Sequence, residues 1–143
     1  MIVLDTNVVS ELMRPEPNPR VLAWLAGQPL SELALTAITV LEIRLGLRRM
    51  ADGKRRTALE GRFGQFLSEA FQGRVLPFNH EAAEECAALL VYRQQLGCPL
   101  DNHLADAMIA AIAKVKGCRL ATRNRRDFED TRLELVDPWN EVA

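Results

Sequence analysis

Apolar residues follow two spacings along this chain, and the alternation between them predicts the fold. Short, mainly apolar runs occur at Ile2-Val3-Leu4 and at residues 33–35, 74–78, 119–122 and 133–136. Such runs suit strands buried on both faces of a parallel sheet. The longer stretches between them carry helical punctuation. Residues 20–27, with Val21, Leu22, Trp24 and Leu25, predict a short helix stopped by Gly27 and Pro29. Residues 38–50 and 55–71 predict two helices separated by Asp52-Gly53. Residues 81–96 predict a helix ending at Gly97 and Pro99. Residues 104–116 predict another, with Asp101 as candidate N-cap and Gly117 as its stop. Pro15-Glu16-Pro17-Asn18-Pro19 breaks helix and predicts a loop. Strands alternating with helices imply a parallel α/β sandwich. Without an internal repeat or long linker, the 143 residues predict one domain, 1–143, able to bury a core.

Composition narrows the function classes. A content of 48% hydrophobic and 26% charged residues is ordinary for a soluble globular protein. No apolar stretch approaches the roughly 20 residues that span a bilayer, so a cytoplasmic protein with no membrane partner is expected. Cys86, Cys98 and Cys118 form no Cys-x-x-Cys pair and are expected as buried free thiols. The net charge of −1 argues against a generic nucleic-acid coat, but the basic residues cluster. One cluster runs through Arg44, Arg48, Arg49, Lys54, Arg55, Arg56 and Arg62. The other runs through Lys114, Lys116, Arg119, Arg123, Arg125, Arg126 and Arg132. Each adjoins a candidate catalytic acid, so the pair suggests a phosphate-tracking surface, against the plainer reading of solvated helix faces.

Four acids carry the chemistry. Asp5 follows the first strand, at the carboxyl edge where parallel sheets bind ligands. A turn start or a helix cap made with Thr6 and Asn7 is its plainer explanation. Glu42 has Ile38, Leu45 and Gly46 as helical neighbours, unusual company for a solvated glutamate, although pairing with Arg44 or Arg49 would also account for it. Asp106 points away from the stripe Leu104, Met108, Ala111, Ile112 and Val115, with small Ala110 and Ala113 on its own side. Favourable placement in a helix's first turn is the competing reading. Asp127 follows the strand at 119–122 and is expected to share the sheet's carboxyl edge with Asp5. Converging carboxylates repel and raise one another's pKa. A divalent cation removes that penalty, and an all-oxygen set suits Mg²⁺ or Mn²⁺. Such an ion activates water and stabilises charge on a phosphoryl oxygen, which makes nucleic-acid phosphodiesters the fitting substrate.

Other catalytic sets fit poorly. His80 and His103 lie in no metal or triad motif, and no Gly-x-Ser-x-Gly elbow, Walker loop or dinucleotide fingerprint occurs. Trp24, Trp139, Tyr92 and the phenylalanines are too scattered for a base-stacking platform, so core packing is expected of them.

The ordered set of motifs resembles the PIN-domain ribonucleases, specifically the VapC-like toxins of type II toxin–antitoxin pairs. The matching pieces are Val3-Leu4-Asp5-Thr6-Asn7 with Ser10-Glu11, and Thr39-Val40-Leu41-Glu42-Ile43 with Gly46. Then come Leu104-Ala105-Asp106-Ala107-Met108-Ile109-Ala110-Ala111, the stretch from Leu120 through Arg123, Asn124, Arg125 and Asp127 to Phe128, and Val136-Asp137-Pro138-Trp139. The resemblance implies a PIN-like α/β/α sandwich with a central parallel sheet and a Mg²⁺-dependent endoribonuclease. Asp5 and Asp106 would be the principal metal ligands, with Glu42 and Asp127 completing the acidic pocket. Thr6 and Asn124 would support the site by hydrogen bonds, and Arg123 and Arg125 would meet substrate. It further implies a homodimer, an RNA substrate and a cognate antitoxin whose tail covers the pocket. Asp101-Asn102-His103 is more polar than the family's usual approach to this helix. A non-catalytic RNA- or partner-binding module and a DNA-directed nuclease are the alternatives.

Overall fold

The structure, a computed structural model, describes residues 1–97 and 104–140. Asp101 as a cap, the Asp101-Asn102-His103 segment and Cys98 therefore lie outside the described residues. Five strands form one sheet: β1 (Ile2–Leu4), β2 (Leu33–Thr36), β3 (Val75–Leu76), β4 (Arg119–Ala121) and β5 (Leu135–Val136). Their order is β3-β2-β1-β4-β5, and every pairing is parallel. The chain therefore winds outward from β1 in one direction and then, from β4, in the other. In open α/β sheets the crevice at such a reversal, beyond the strands' carboxyl ends, is where ligands bind.

Helices cover both faces. On one lie α1 (Thr6–Leu12), α2 (Pro19–Ala26), α3 (Ala37–Arg49) and α4 (Lys54–Gln65). Val8, Val9, Val21, Trp24, Ile43, Leu47 and Phe63 pack there on Ile2, Leu4, Leu33 and Leu35. On the other lie α5 (His80–Gln95) and α6 (Leu104–Val115), with Ala82, Ile109 and Ile112 packing on Val3 and Leu120. Ile2 and Leu4 serve one core while Val3 serves the other, as the alternation of side chains along a strand requires. This is the α/β/α sandwich with a central parallel sheet.

Three expected features shift. The helix expected over 55–71 leaves the α-helical path after Gln65 and continues as a wider π turn at Phe66–Ala70. That turn accompanies the stacking of Phe66 edge-on to Phe71, which is buried with Phe63. The edge strands at 74–78 and 133–136 shrink to two residues each, as suits strands paired on one side only. The buried face of α6 includes Ile109, Ala110 and Ala113, whereas Leu104 is 46% exposed. Packed between the sheet and α5, α6 buries more than the single stripe expected of it. Cys86 and Cys118 are buried free thiols, and burial pushes both upward in pKa.

Candidate active site

The strand ends at the reversal point build a cleft of about 500 Å³. Asp5, Thr6, Asn7, Ser10, Glu11 and Arg14 line it from the first strand and α1; Glu42 comes from α3, Asp106 from α6, and Arg123, Asn124 and Trp139 from segments after β4 and β5. Three of the four expected acids are thus brought together. Asp127 is not among the lining residues. It lies in the 3-10 turn Arg125–Thr131, where its backbone carbonyl accepts a hydrogen bond from Arg93 Nη2 at 2.6 Å. Arg93 also holds Asp130 there, so the turn faces α5. Arg125 likewise does not line the cleft, whereas Thr6, Arg123 and Asn124 do.

Asp5 is the fixed point of the site. It caps α1, with Oδ1 accepting from the Thr6 amide at 2.8 Å. Its Oδ2 accepts from the Thr122 hydroxyl at 2.7 Å and from Asn7 Nδ2 at 3.1 Å. The capping reading holds, and the same carboxylate lines the cleft. Thr122, fully buried, is in turn tied to the Asn124 amide at 3.1 Å, and Asn7 Oδ1 accepts the Arg123 amide at 3.3 Å. These bonds lock the loop after β4 onto the end of β1. The register of β1 on β4 sets Leu4 beside Ala121, so Asp5 and Thr122 emerge next to one another.

Only 3% of Asp5 is exposed, and its pKa is pushed up to about 6. Burial is the main cause, and the charges of Asp106 and Glu42 add to it, while the Thr122 and Thr6 hydrogen bonds act the other way. Glu42 is oriented by a run of hydroxyls rather than by Arg44 or Arg49, the alternative the sequence left open. Thr6 Oγ1 donates to Glu42 Oε1 at 2.7 Å and lies 3.0 Å from Thr39 Oγ1, and Thr36 donates to Thr39 at 3.4 Å. Arg44 instead sits over the Phe63 ring, 4.9 Å from its centroid.

The donor set tests the fit of a divalent cation. It is all oxygen, its central carboxylate resists ionisation where it stands, and three hydrogen bonds leave that carboxylate acceptor capacity. Among the described residues no group of three His, Cys, Asp or Glu is arranged to hold an ion by itself. Mg²⁺ does not demand such a cage, because it keeps several waters and binds through one or two carboxylates together with substrate phosphate. The residues fit.

Several site residues escaped the sequence reading. Thr122, Thr39 and Trp139 lie within stretches that carry the family resemblance, but their part in the site needs strand register or the chain's return to be placed. Glu11 carried a signal: an acid on a helix whose neighbours Val8 and Val9 are buried.

A cleft of clustered carboxylates at the reversal point of a parallel sheet defines a candidate metal-dependent hydrolytic site. Comparison with known proteins gives it a family. Residues 2–133 match the PIN domain. The chain is 44% identical to the VapC ribonuclease Y4jK of Sinorhizobium fredii over 139 residues, covering 97% of this chain and 98% of the relative. It is 40% identical to Toxin FitB of Neisseria gonorrhoeae over 141 residues, 99% and 100% of the two chains. The crystal structure of FitAcB from Neisseria gonorrhoeae superposes with a TM-score of 0.89 at 40% identity, covering 99% of this chain and 100% of that one. The chain belongs to the PIN-domain family, among its VapC-like toxins.

Proposed function

We propose that this protein is a Mg²⁺-dependent endoribonuclease, with Mn²⁺ as a substitute, acting as the toxin of a toxin–antitoxin pair. The observation that carries the reading is Asp5: a nearly buried carboxylate, raised in pKa, facing Asp106 and Glu42 in one cleft. A protein gains nothing for stability from this arrangement, whereas a cation bound there would relieve it. The relatives' names support RNA as the substrate. Asp5 and Asp106 would hold the ion, Glu42 would complete the set, and the Asn124 amide would offer a neutral oxygen at the rim. Such an ion would activate a water and draw charge from a phosphoryl oxygen.

The chain's own residues do the positioning. Thr122, Asn7 and the Thr6 amide hold the Asp5 carboxylate in one orientation. Thr6, backed by Thr39, holds one oxygen of Glu42 in place. Arg123, its guanidinium 5.1 Å from the Trp139 ring centroid, offers a phosphate contact whose orientation is fixed in advance. A second hollow of about 620 Å³, lined by Met13, Ile43, Leu47 and Leu59 among others, continues from the cleft through Thr6, Ser10, Arg14 and Glu42. Its continuity with the acids suits an antitoxin segment that lies in the hollow and places a basic residue on them. A homodimer belongs to the same proposal and is checked by light scattering. Among the described residues no helix is long and apolar enough to cross a membrane.

The test is incubation of purified, partner-free protein and Mg²⁺ with total RNA and, in parallel, with single-stranded DNA. Cleavage of RNA alone, absent in Asp5→Asn, supports the proposal. Preferential DNA cleavage favours the DNA-directed alternative, and inertness toward both favours a binding module.

A further inference from the structure

Arg14 is, among the described residues, the one basic side chain that lines both the acidic cleft and the hollow beside it. Its neighbour one turn back, Glu11, is only 6% exposed. Arg14 Nη1 lies 3.2 Å from each Glu11 oxygen, and Glu11 Oε2 also accepts from the Asn18 amide at 3.0 Å. The carboxylate is thereby fixed by backbone on one side and holds the guanidinium on the other. Arg14 itself is 64% exposed in its side chain, and only Nη1 is engaged in these bonds. The guanidinium end of the pair lies mostly in solvent, where screening leaves such a contact little stabilising value, so the pair is poorly explained as a staple for the fold.

RNA must bring phosphates up to three carboxylates, which needs cations held where the strand passes. Arg123 meets that need on the loop after β4, braced by Trp139. We propose that Arg14 is the second phosphate-contacting residue, gripping a backbone phosphate of single-stranded RNA where the strand leaves the cleft toward the hollow, and that Glu11 is its positioning residue. Nε and Nη2, not engaged by Glu11, supply the contact. The inference rests on the nuclease reading of the cleft.

The test uses the full chain with a short single-stranded RNA. Arg14→Ala raises KM about tenfold with kcat within about twofold of wild type. In an Asp5→Asn background, which binds without cleaving, Arg14→Ala lowers the slope of log affinity against log salt by about 0.7, the value for one phosphate contact on a single strand. Arg14→Lys restores the slope but not the full affinity, because a point charge replaces an oriented fork. Glu11→Gln is the decisive variant. It removes a negative charge beside the strand, which by charge alone tightens RNA binding; loss of positioning weakens it severalfold. Normal KM and salt slope in Arg14→Ala, with or without a lowered Tm, overturn the proposal while a cleaving wild type keeps the nuclease reading. A wild type that neither binds nor cleaves RNA removes both.

Discussion

At Asp5 one carboxylate serves two ends that conflict energetically. As cap of α1 it must accept from the Thr6 amide, and as the centre of the cleft it must carry a charge that burial and two neighbouring acids resist. The conflict has a measurable consequence in the metal-free protein. A carboxyl whose pKa rises from 3.8 to about 6 on folding binds its proton more tightly when folded. Its contribution to stability is therefore fully present below about pH 4 and is lost as pH rises through about 6. A shift of this size corresponds to roughly 3 kcal/mol at most. Denaturant unfolding in chelator should show wild type gaining stability from pH 7.5 to 5 relative to Asp5→Asn, with the gap closing or reversing when Mg²⁺ is supplied. Parallel curves for the two proteins would mean that Asp5 is not strained in the folded state.

At the scale of elements, the helices and the central strands were largely legible, because hydrophobic spacing and Gly or Pro stops are local signals. The helix expected over 81–96 appears as α5, and the stop at Gly117 occurs with a backbone φ of +66° that glycine readily adopts. What was not legible is what depends on packing. The π turn after Gln65 answers to the burial of Phe71, and the short edge strands answer to the absence of a second neighbour. The acids divide in the same way. Asp5 at the cap of α1, Glu42 on α3 and Asp106 on α6 stand where these elements meet the cleft, so their positions follow from the fold. Asp127 was placed by its distance from a strand end; it lies in the turn Arg125–Thr131, which Arg93 holds toward α5, and it does not line the cleft. Asp106→Asn should therefore abolish RNA cleavage in a folded protein, whereas Asp127→Asn should keep activity within about tenfold of wild type. Equal loss in both variants would return Asp127 to the catalytic set.

The whole molecule links the two cores to one site. Winding outward from β1 in both directions opens the crevice, and the two helical layers deliver Glu42 from one face and Asp106 from the other. An open cleft of this kind needs restraint if it cleaves RNA in a cell. Expression of the chain alone in bacteria should arrest growth, and expression of Asp5→Asn should not. Co-expression of a cognate antitoxin should restore growth, whereas harmless accumulation of soluble wild-type protein would argue for a binding module. The basic clusters along the sequence proved to be divided in use: Arg56 pairs with Asp52 and Glu60, Lys114 with Glu85, while Arg123 reaches the cleft. Charge runs alone could not have separated these roles, because the separation depends on which face each helix presents.

The central claim is that the clustered acids hold a divalent cation for phosphodiester hydrolysis. It is tested most directly by following cleavage of a single-stranded RNA by purified protein while chelator is added in excess and Mg²⁺ or Mn²⁺ is then restored. Cleavage should stop with chelation and return with either ion in wild type, and remain absent throughout in Asp5→Asn. Undiminished cleavage in excess chelator would contradict the account.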